Sequence, residues 1–213
     1  MGIQFKPEQL KAYFVCGSQD VHGDFVTIVK QAIDAGITMF QFRDKGAGST
    51  LTPSQRLVVA GQIRKMCRDA EVPFVVDDDV ELALAVGADG VHVGQSDEQI
   101  QRVIQQVGSK MFVGYSCSNL TEINRANEIA GIAYYGSGPI FETGSKADAD
   151  PVIGIAGLAK LVTAATRPVV AIGGITEASL TPIIKTGAAG SAVISMIAQS
   201  DDLKRTVSAM NRA

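Results

Sequence analysis

Short apolar runs recur along this chain, each closed by a polar or glycine-bearing turn and followed by a stretch of helical spacing. Ala12-Tyr13-Phe14-Val15-Cys16 runs into a Gly17-Ser18 turn, and Asp24 to Ala35 then places Phe25, Ile28, Val29, Ala32 and Ile33 on one helical face. Gly36 supplies the stop expected just past a helix end. Met39 to Phe42 is the next apolar run, and Thr52-Pro53 opens a long amphipathic segment reaching about Ala70, with proline in the first turn. Pro73 ends it, and Phe74 to Val76 follows. The alternation continues with a helix over Val80–Val86, a strand over Gly90–Val93, and a helix to Val107 opened by Ser96 and Gln99 at capping-box spacing. Strand Phe112–Tyr115, helix Leu120–Ile129 and strand Ala133–Tyr135 come next, then a polar, glycine-containing excursion through Asp150. Helix Ile155–Ala165, strand Val169–Ile172, helix Leu180–Thr186, strand Ser191–Ile194 and helix Asp201–Arg212 complete the chain.

Eight strands alternate with eight helices. Runs of three to five apolar residues without polar alternation suit a parallel sheet buried on both faces. Glycine stands between helix and strand at Gly36, Gly87, Gly131 and Gly187, a weak internal repeat. Eight βα units in about 200 residues predict a (β/α)8 barrel, one domain over residues 1–213. An open doubly wound sheet is the rival, and Gly17-Ser18-Gln19-Asp20 lacks the G-x-G-x-x-G turn it would favour after strand one.

Composition narrows the function classes. The chain has 213 residues, 46% hydrophobic and 19% charged, with a net charge of −3, which argues against general binding to nucleic acid or anionic membranes. Cys16, Cys67 and Cys117 are few and widely spaced, so neither a disulfide framework nor a zinc pattern follows; a reducing, cytoplasmic setting is the simple reading. Lys6, Pro7 and Glu8 precede the first apolar run, unlike a secretory signal, and no stretch approaches the ~18 apolar residues of a membrane helix. Oligomeric state is left open.

In such a barrel the chemistry gathers at the C-terminal ends of the strands. Arg43 and Lys45 after strand two and Lys146 after strand six place three cations at one mouth, matching a multiply charged anion such as diphosphate. Asp77-Asp78-Asp79 follow strand three, and Asp97 follows strand four. Asp78 and Asp97 are hard oxygen ligands of the kind Mg2+ takes alongside phosphate oxygens. Gly173-Gly174 and Ser195, after strands seven and eight, stand where barrels commonly hold a monophosphate on backbone N–H groups. Each motif also has a plainer reading. Arg43-Asp44-Lys45 suits a solvated turn, Asp97 a helix start, Gly173-Gly174 a tight turn, and His92 a packed core position. Cys117 beside Ser116 has no histidine partner near it in sequence. One rim joining all these motifs weakens the plainer readings together.

Gln41-Phe42-Arg43-Asp44-Lys45-Gly46, Asp77-Asp78-Asp79-Val80-Glu81-Leu82-Ala83, Gly90-Val91-His92-Val93-Gly94-Gln95-Ser96-Asp97 and Gly173-Gly174-Ile175 stand in the order and spacing of the thiamine phosphate synthase family, which the chain resembles over nearly its whole length. That resemblance implies joining of a pyrimidine-methyl diphosphate to a thiazole phosphate, two small phosphorylated substrates, with Mg2+ and release of pyrophosphate. It implies Gln41, Arg43, Lys45, Asp77, Ser116 and Lys146 at the pyrimidine diphosphate, Thr143, Gly144, Ser145, Gly174, Ile194 and Ser195 at the thiazole phosphate, and Asp78 and Asp97 at the metal. Arg43, Lys45, Ser116 and Lys146 would carry catalysis, and Gly138 to Asp150 would be the segment closing over substrates.

The chain departs from the family pattern in three places. Asp77 replaces the usual Asn, Cys117-Ser118-Asn119 replaces a small residue and His-Thr, and Glu142-Thr143-Gly144-Ser145-Lys146 replaces Pro-Thr-x-Thr-Lys. The last also resembles the sister thiazole tautomerases, which lack the aspartate pair, so Asp78 and Asp97 favour the synthase. A tautomerase-like paralogue and a non-catalytic thiazole or thiamine phosphate-binding barrel remain the alternatives. Asp79 is expected to cap the following helix.

Overall fold

The computed structural model describes residues 4–46, 48–95, 99–144 and 151–213. Eight parallel strands close in chain order: β1 (Ala12–Cys16), β2 (Met39–Phe42), β3 (Phe74–Asp77), β4 (Gly90–Val93), β5 (Phe112–Ser116), β6 (Ile132–Ser137), β7 (Val169–Ile172) and β8 (Gly190–Val193). Closure runs through Tyr13 opposite Ala192 and Phe14 opposite Val193, which excludes the open sheet. The helices are α1 (Phe25–Asp34), α2 (Pro53–Asp69), α3 (Val80–Val86), α4 (Ile100–Val107), α5 (Leu120–Asn127), α6 (Gly154–Ala164), α7 (Glu177–Ile184), α8 (Ser195–Ala198) and α9 (Leu203–Arg212).

The unbroken apolar runs are explained by two cores. Within β1, Tyr13 and Val15 join Met39, Val75, Tyr134 and Val170 inside the barrel. Phe14 and Cys16 face the other way, into the apolar layer beneath the helices that also holds Val29, Ile63 and Ile123. A strand buried on both sides has no polar face to alternate with. The repeated glycines at 36, 87, 131 and 187 all adopt positive φ, the left-handed turn that ends a helix and redirects the chain into the next strand.

Local chemistry sets the helix starts. Asp24 accepts from the Thr27 N–H at 2.7 Å, and Thr52 forms a capping box with Gln55 ahead of Pro53. Several boundaries differ from expectation, α7 for instance running Glu177–Ile184 rather than Leu180–Thr186, and two of them lie beside the strand ends that carry the chemistry. The α4 helix begins at Ile100 with Gln99 in the capping position, later than the Ser96–Gln99 box predicts. Residues 195–198 form a short helix directly after β8, with Ile194 capping it rather than ending the strand.

At the N-terminal ends of the strands a buried ion pair ties α2 to the sheet. Arg64 donates to Asp89 Oδ1 at 3.0 Å and to the Gly87 carbonyl at 2.8 Å, and Asp89 Oδ2 accepts the Phe74 N–H at 3.0 Å. All three cysteines are buried, and burial pushes the Cys67 and Cys117 thiols up to about 12.

Candidate active site

The mouth at the C-terminal ends of the strands is lined by Gln41, Arg43, Lys45, Asp77, Asp78 and Ser116, side chains that β2, β3 and β5 deliver to one cavity. Lys45 Nζ lies 2.7 Å from Asp77 Oδ2 and also bonds Asp78 Oδ2, while Arg43 Nε stands 3.4 Å from the same Asp77 oxygen. Burial alone would lower the Lys45 pKa. The Asp77 and Asp78 carboxylates outweigh it and hold the ammonium above its ordinary range, so Lys45 is a cation at neutral pH. Asp77 Oδ2 is buried between the Lys45 and Arg43 cations.

Asp78 is fixed by its backbone. Its φ of +59° is left-handed, a conformation that costs a non-glycine residue about 1–3 kcal/mol. Its N–H donates to the His92 carbonyl at 2.8 Å. Asp79 turns the other way and accepts the Leu82 N–H at 2.9 Å, capping α3 as expected. The three successive carboxylates therefore have three different tasks. Among the described residues no three His, Cys, Asp or Glu side chains converge as a metal cage. The cavity instead presents Asp78, a hard-oxygen carboxylate of the kind Mg2+ takes when phosphate oxygens and water complete its shell. Asp97, the expected second ligand, lies outside the described residues, as do Ser145 and Lys146.

Within Arg43-Asp44-Lys45 the exposed member is Lys45, and Asp44 is not a solvated turn residue. The Asp44 side chain is fully buried, accepting from Ser18 N–H at 2.9 Å, from Ser18 O–H, and from Ser49 O–H at 2.6 Å, with Arg56 Nε 3.7 Å away. It ties the β1–α1 turn to the loop carrying Arg43 and Lys45, so it sets where those cations stand. Asp44→Ala strands a serine N–H and two hydroxyls, and is expected to cost about 1–3 kcal/mol in urea unfolding.

A second cavity adjoins the first, and both are bounded by Thr143 and Ile194. Gly144, Gly174 and Ser195 line it, so the described residues expected at a second phosphate do come together. Gly173 and Gly174 both have positive φ, and a Cβ on either would meet Pro139 or the Phe141–Glu142 backbone within 2.7 Å. That close approach lets the loop after β6 run along the loop after β7, with the Ile140 and Phe141 N–H groups donating to the Ile172 and Gly173 carbonyls. Asp20 and His22 also border this cavity. Sequence reading missed them, having treated the residues after Gly17 only as a turn.

His92 is packed, as expected, yet not inert. It also borders the first cavity, with Nδ1 3.1 Å from Tyr134 Oη and Nε2 3.0 Å from Ser116 Oγ. Tyr13 and Tyr134 were read only as strand residues, and both are hydrogen-bonded inside the barrel.

Comparison with known proteins bears on this arrangement. Residues 12–197 match a family model described as thiamine monophosphate synthase. A thiamine-phosphate synthase of Lactiplantibacillus plantarum is 59% identical over 99% of this chain and 97% of its own length. One from Levilactobacillus brevis is 59% identical over 100% of this chain and 99% of its own. The solved thiamine phosphate pyrophosphorylase of Pyrococcus furiosus superposes with a TM-score of 0.81 at 29% identity, covering 97% of this chain and 96% of that one.

Proposed function

The chain belongs to the thiamine monophosphate synthase family, and from that membership we propose the reaction it catalyses. It is a thiamine-phosphate synthase: the methylene carbon of 4-amino-2-methyl-5-pyrimidinylmethyl diphosphate forms a bond to the nitrogen of a thiazole phosphate, or its carboxylated form. The C–O bond to the diphosphate breaks, and thiamine monophosphate and pyrophosphate leave. The observation that carries this reading is the pair of adjoining cavities, one with Arg43 and Lys45 facing Asp77 and Asp78, the other bounded by Gly174 and Ser195.

Arg43, Lys45 and Ser116 bind the diphosphate and stabilise charge as it develops on the leaving group. Lys146 joins them on the strength of the family resemblance. Gln41 orients the aminopyrimidine, whose ring delocalises the cation left when the C–O bond ionises. Thr143, Gly144, Ser145, Gly174, Ile194 and Ser195 hold the thiazole phosphate so that its nitrogen meets that cation at close range. Asp78 and Asp97 would hold Mg2+, which supplies further charge neutralisation on the diphosphate oxygens when bound. No protein nucleophile is required. Small phosphorylated substrates and reduced, buried cysteines support a cytoplasmic site of action. Among the described residues no helix is long and apolar enough to cross a membrane.

Pyrophosphate release is the deciding measurement. Formed together with thiamine phosphate, it requires both substrates and Mg2+; metal-independent conversion of thiazole phosphate alone, with no pyrophosphate, would instead identify a tautomerase-like activity. Asp77 gives a finer test. Its carboxylate competes with the diphosphate for Arg43 and Lys45, so Asp77→Asn is expected to tighten binding of inorganic pyrophosphate about tenfold in metal-free calorimetry. Unchanged or weaker binding would remove the competing role.

A further inference from the structure

Four hydrogen bonds cross the barrel interior from the β2 side of the first cavity to its β5 side. Gln41 Nε2 donates to Tyr13 Oη at 2.7 Å, the Tyr13 and Tyr134 hydroxyls are 2.9 Å apart, Tyr134 Oη meets His92 Nδ1 at 3.1 Å, and His92 Nε2 meets Ser116 Oγ at 3.0 Å. The site described above uses only the two ends.

The chain has a direction, fixed by its first member. An amide NH2 can only donate, so Tyr13 accepts from Gln41 and spends its own proton on Tyr134. Tyr134 in turn donates to His92 Nδ1. In that arrangement a neutral imidazole carries its proton on Nε2 and donates it to Ser116 Oγ. With its oxygen already accepting, the Ser116 hydroxyl is left to donate outward, the polarity a phosphate oxygen needs. The reverse direction requires the Gln41 amide turned over: Tyr13 would donate to Gln41, His92 would donate from Nδ1, and Ser116 would donate inward and offer the cavity a lone pair. Burial holds both tyrosines above their ordinary pKa, so both hydroxyls keep their protons.

The fold commits positions to this chain. A Cβ on Gly114 would lie 2.3–2.5 Å from Tyr134 and His92 atoms, and one on Gly136 would lie 3.0 Å from the His92 ring. Both glycines sit mid-strand, where they weaken a sheet unless something occupies the space. Phe5 stacks on Tyr134 at 5.5 Å between ring centres, packing its other side.

We infer that Tyr13 and Tyr134 are positioning residues that couple the two ends of the first cavity. A ligand that donates to Gln41 Oε1 holds the amide with Nε2 toward Tyr13, and that orientation keeps Ser116 a donor toward an anion. This rests on the proposed function, in which an aminopyrimidine meets Gln41 and a diphosphate meets Ser116.

Calorimetry with two half-ligands tests it. Of the relay's two ends, inorganic pyrophosphate engages Ser116 and not the Gln41 amide, and 4-amino-5-hydroxymethyl-2-methylpyrimidine engages Gln41 and not Ser116. In the intact protein the pyrimidine alcohol is expected to tighten pyrophosphate about tenfold, a coupling of ordinary size. In Tyr13→Phe and in Tyr134→Phe, which keep ring volume but cut the chain, the tightening should fall below twofold. Nitrogen-15 NMR of the intact protein, with the chain's two histidines separated by His22→Gln, should show the His92 proton on Nε2. A proton on Nδ1, or coupling that survives Tyr134→Phe, overturns the relay. Binding of both half-ligands without coupling does the same while leaving the proposed function standing; failure of either to bind overturns that function as well.

Discussion

Alanine in place of Asp78 is expected to lower kcat by about 100- to 1,000-fold, the loss typical when electrostatic support of a leaving group is removed, here through the Mg2+ that Asp78 would hold. The side chain hangs from a left-handed backbone whose N–H is bonded to the His92 carbonyl, so its carboxylate is aimed before any ligand arrives. Its partner within the protein is Lys45, and the two together face the position assigned to the diphosphate. Alanine tolerates that φ less well than aspartate, so Asp78→Asn is the matching control. Asparagine keeps the conformation and loses the charge. Both variants should release pyrophosphate slowly at saturating substrates, with Asn melting near the wild-type temperature. Turnover within threefold of wild type in either would take Asp78 out of the chemistry.

The largest stability loss is expected at the opposite end of the barrel, in Asp89→Ala. Asp89 and Arg64 are both buried, and removing the carboxylate leaves the guanidinium uncompensated and the Phe74 N–H without its acceptor. Breaking such a pair from one side costs about 3–5 kcal/mol. For a chain of this length that lowers Tm by roughly 6–20 °C. Differential scanning calorimetry reads it directly, and kcat of the surviving folded fraction should hold, because the pair lies at the far ends of the strands from the cavity. A Tm loss under 3 °C would mean that water reaches Arg64.

The barrel was legible from sequence because each parallel strand is buried on both faces and each turn is punctuated chemically. Gly36 and Gly87, Thr52-Pro53 and Asp24 act locally, so local reading finds them. The cavity's charged residues were legible for a related reason: Arg43, Lys45 and Asp78 follow strands, and closure of the sheet in chain order brings them together. Partners separated by long stretches of chain were not. Asp44 looks like one more charge in a turn, and only the fold shows Ser18 bonded to it. Tyr13 and Tyr134 are 121 residues apart and read as apolar-strand residues, which they are on every side except their hydroxyls. The α8 helix escaped because four residues carry too little periodicity to separate it from the strand before it.

Thr143 and Ile194 form the wall shared by the two cavities, and a cation formed beside such a wall has two fates. It is captured by the thiazole, or it is quenched by water to a pyrimidine alcohol. Pyrophosphate is released either way, so such a wall would govern yield more than speed. A smaller side chain at Ile194 would admit solvent at the seam, and the enzyme would go on consuming diphosphate while making less thiamine phosphate per turnover.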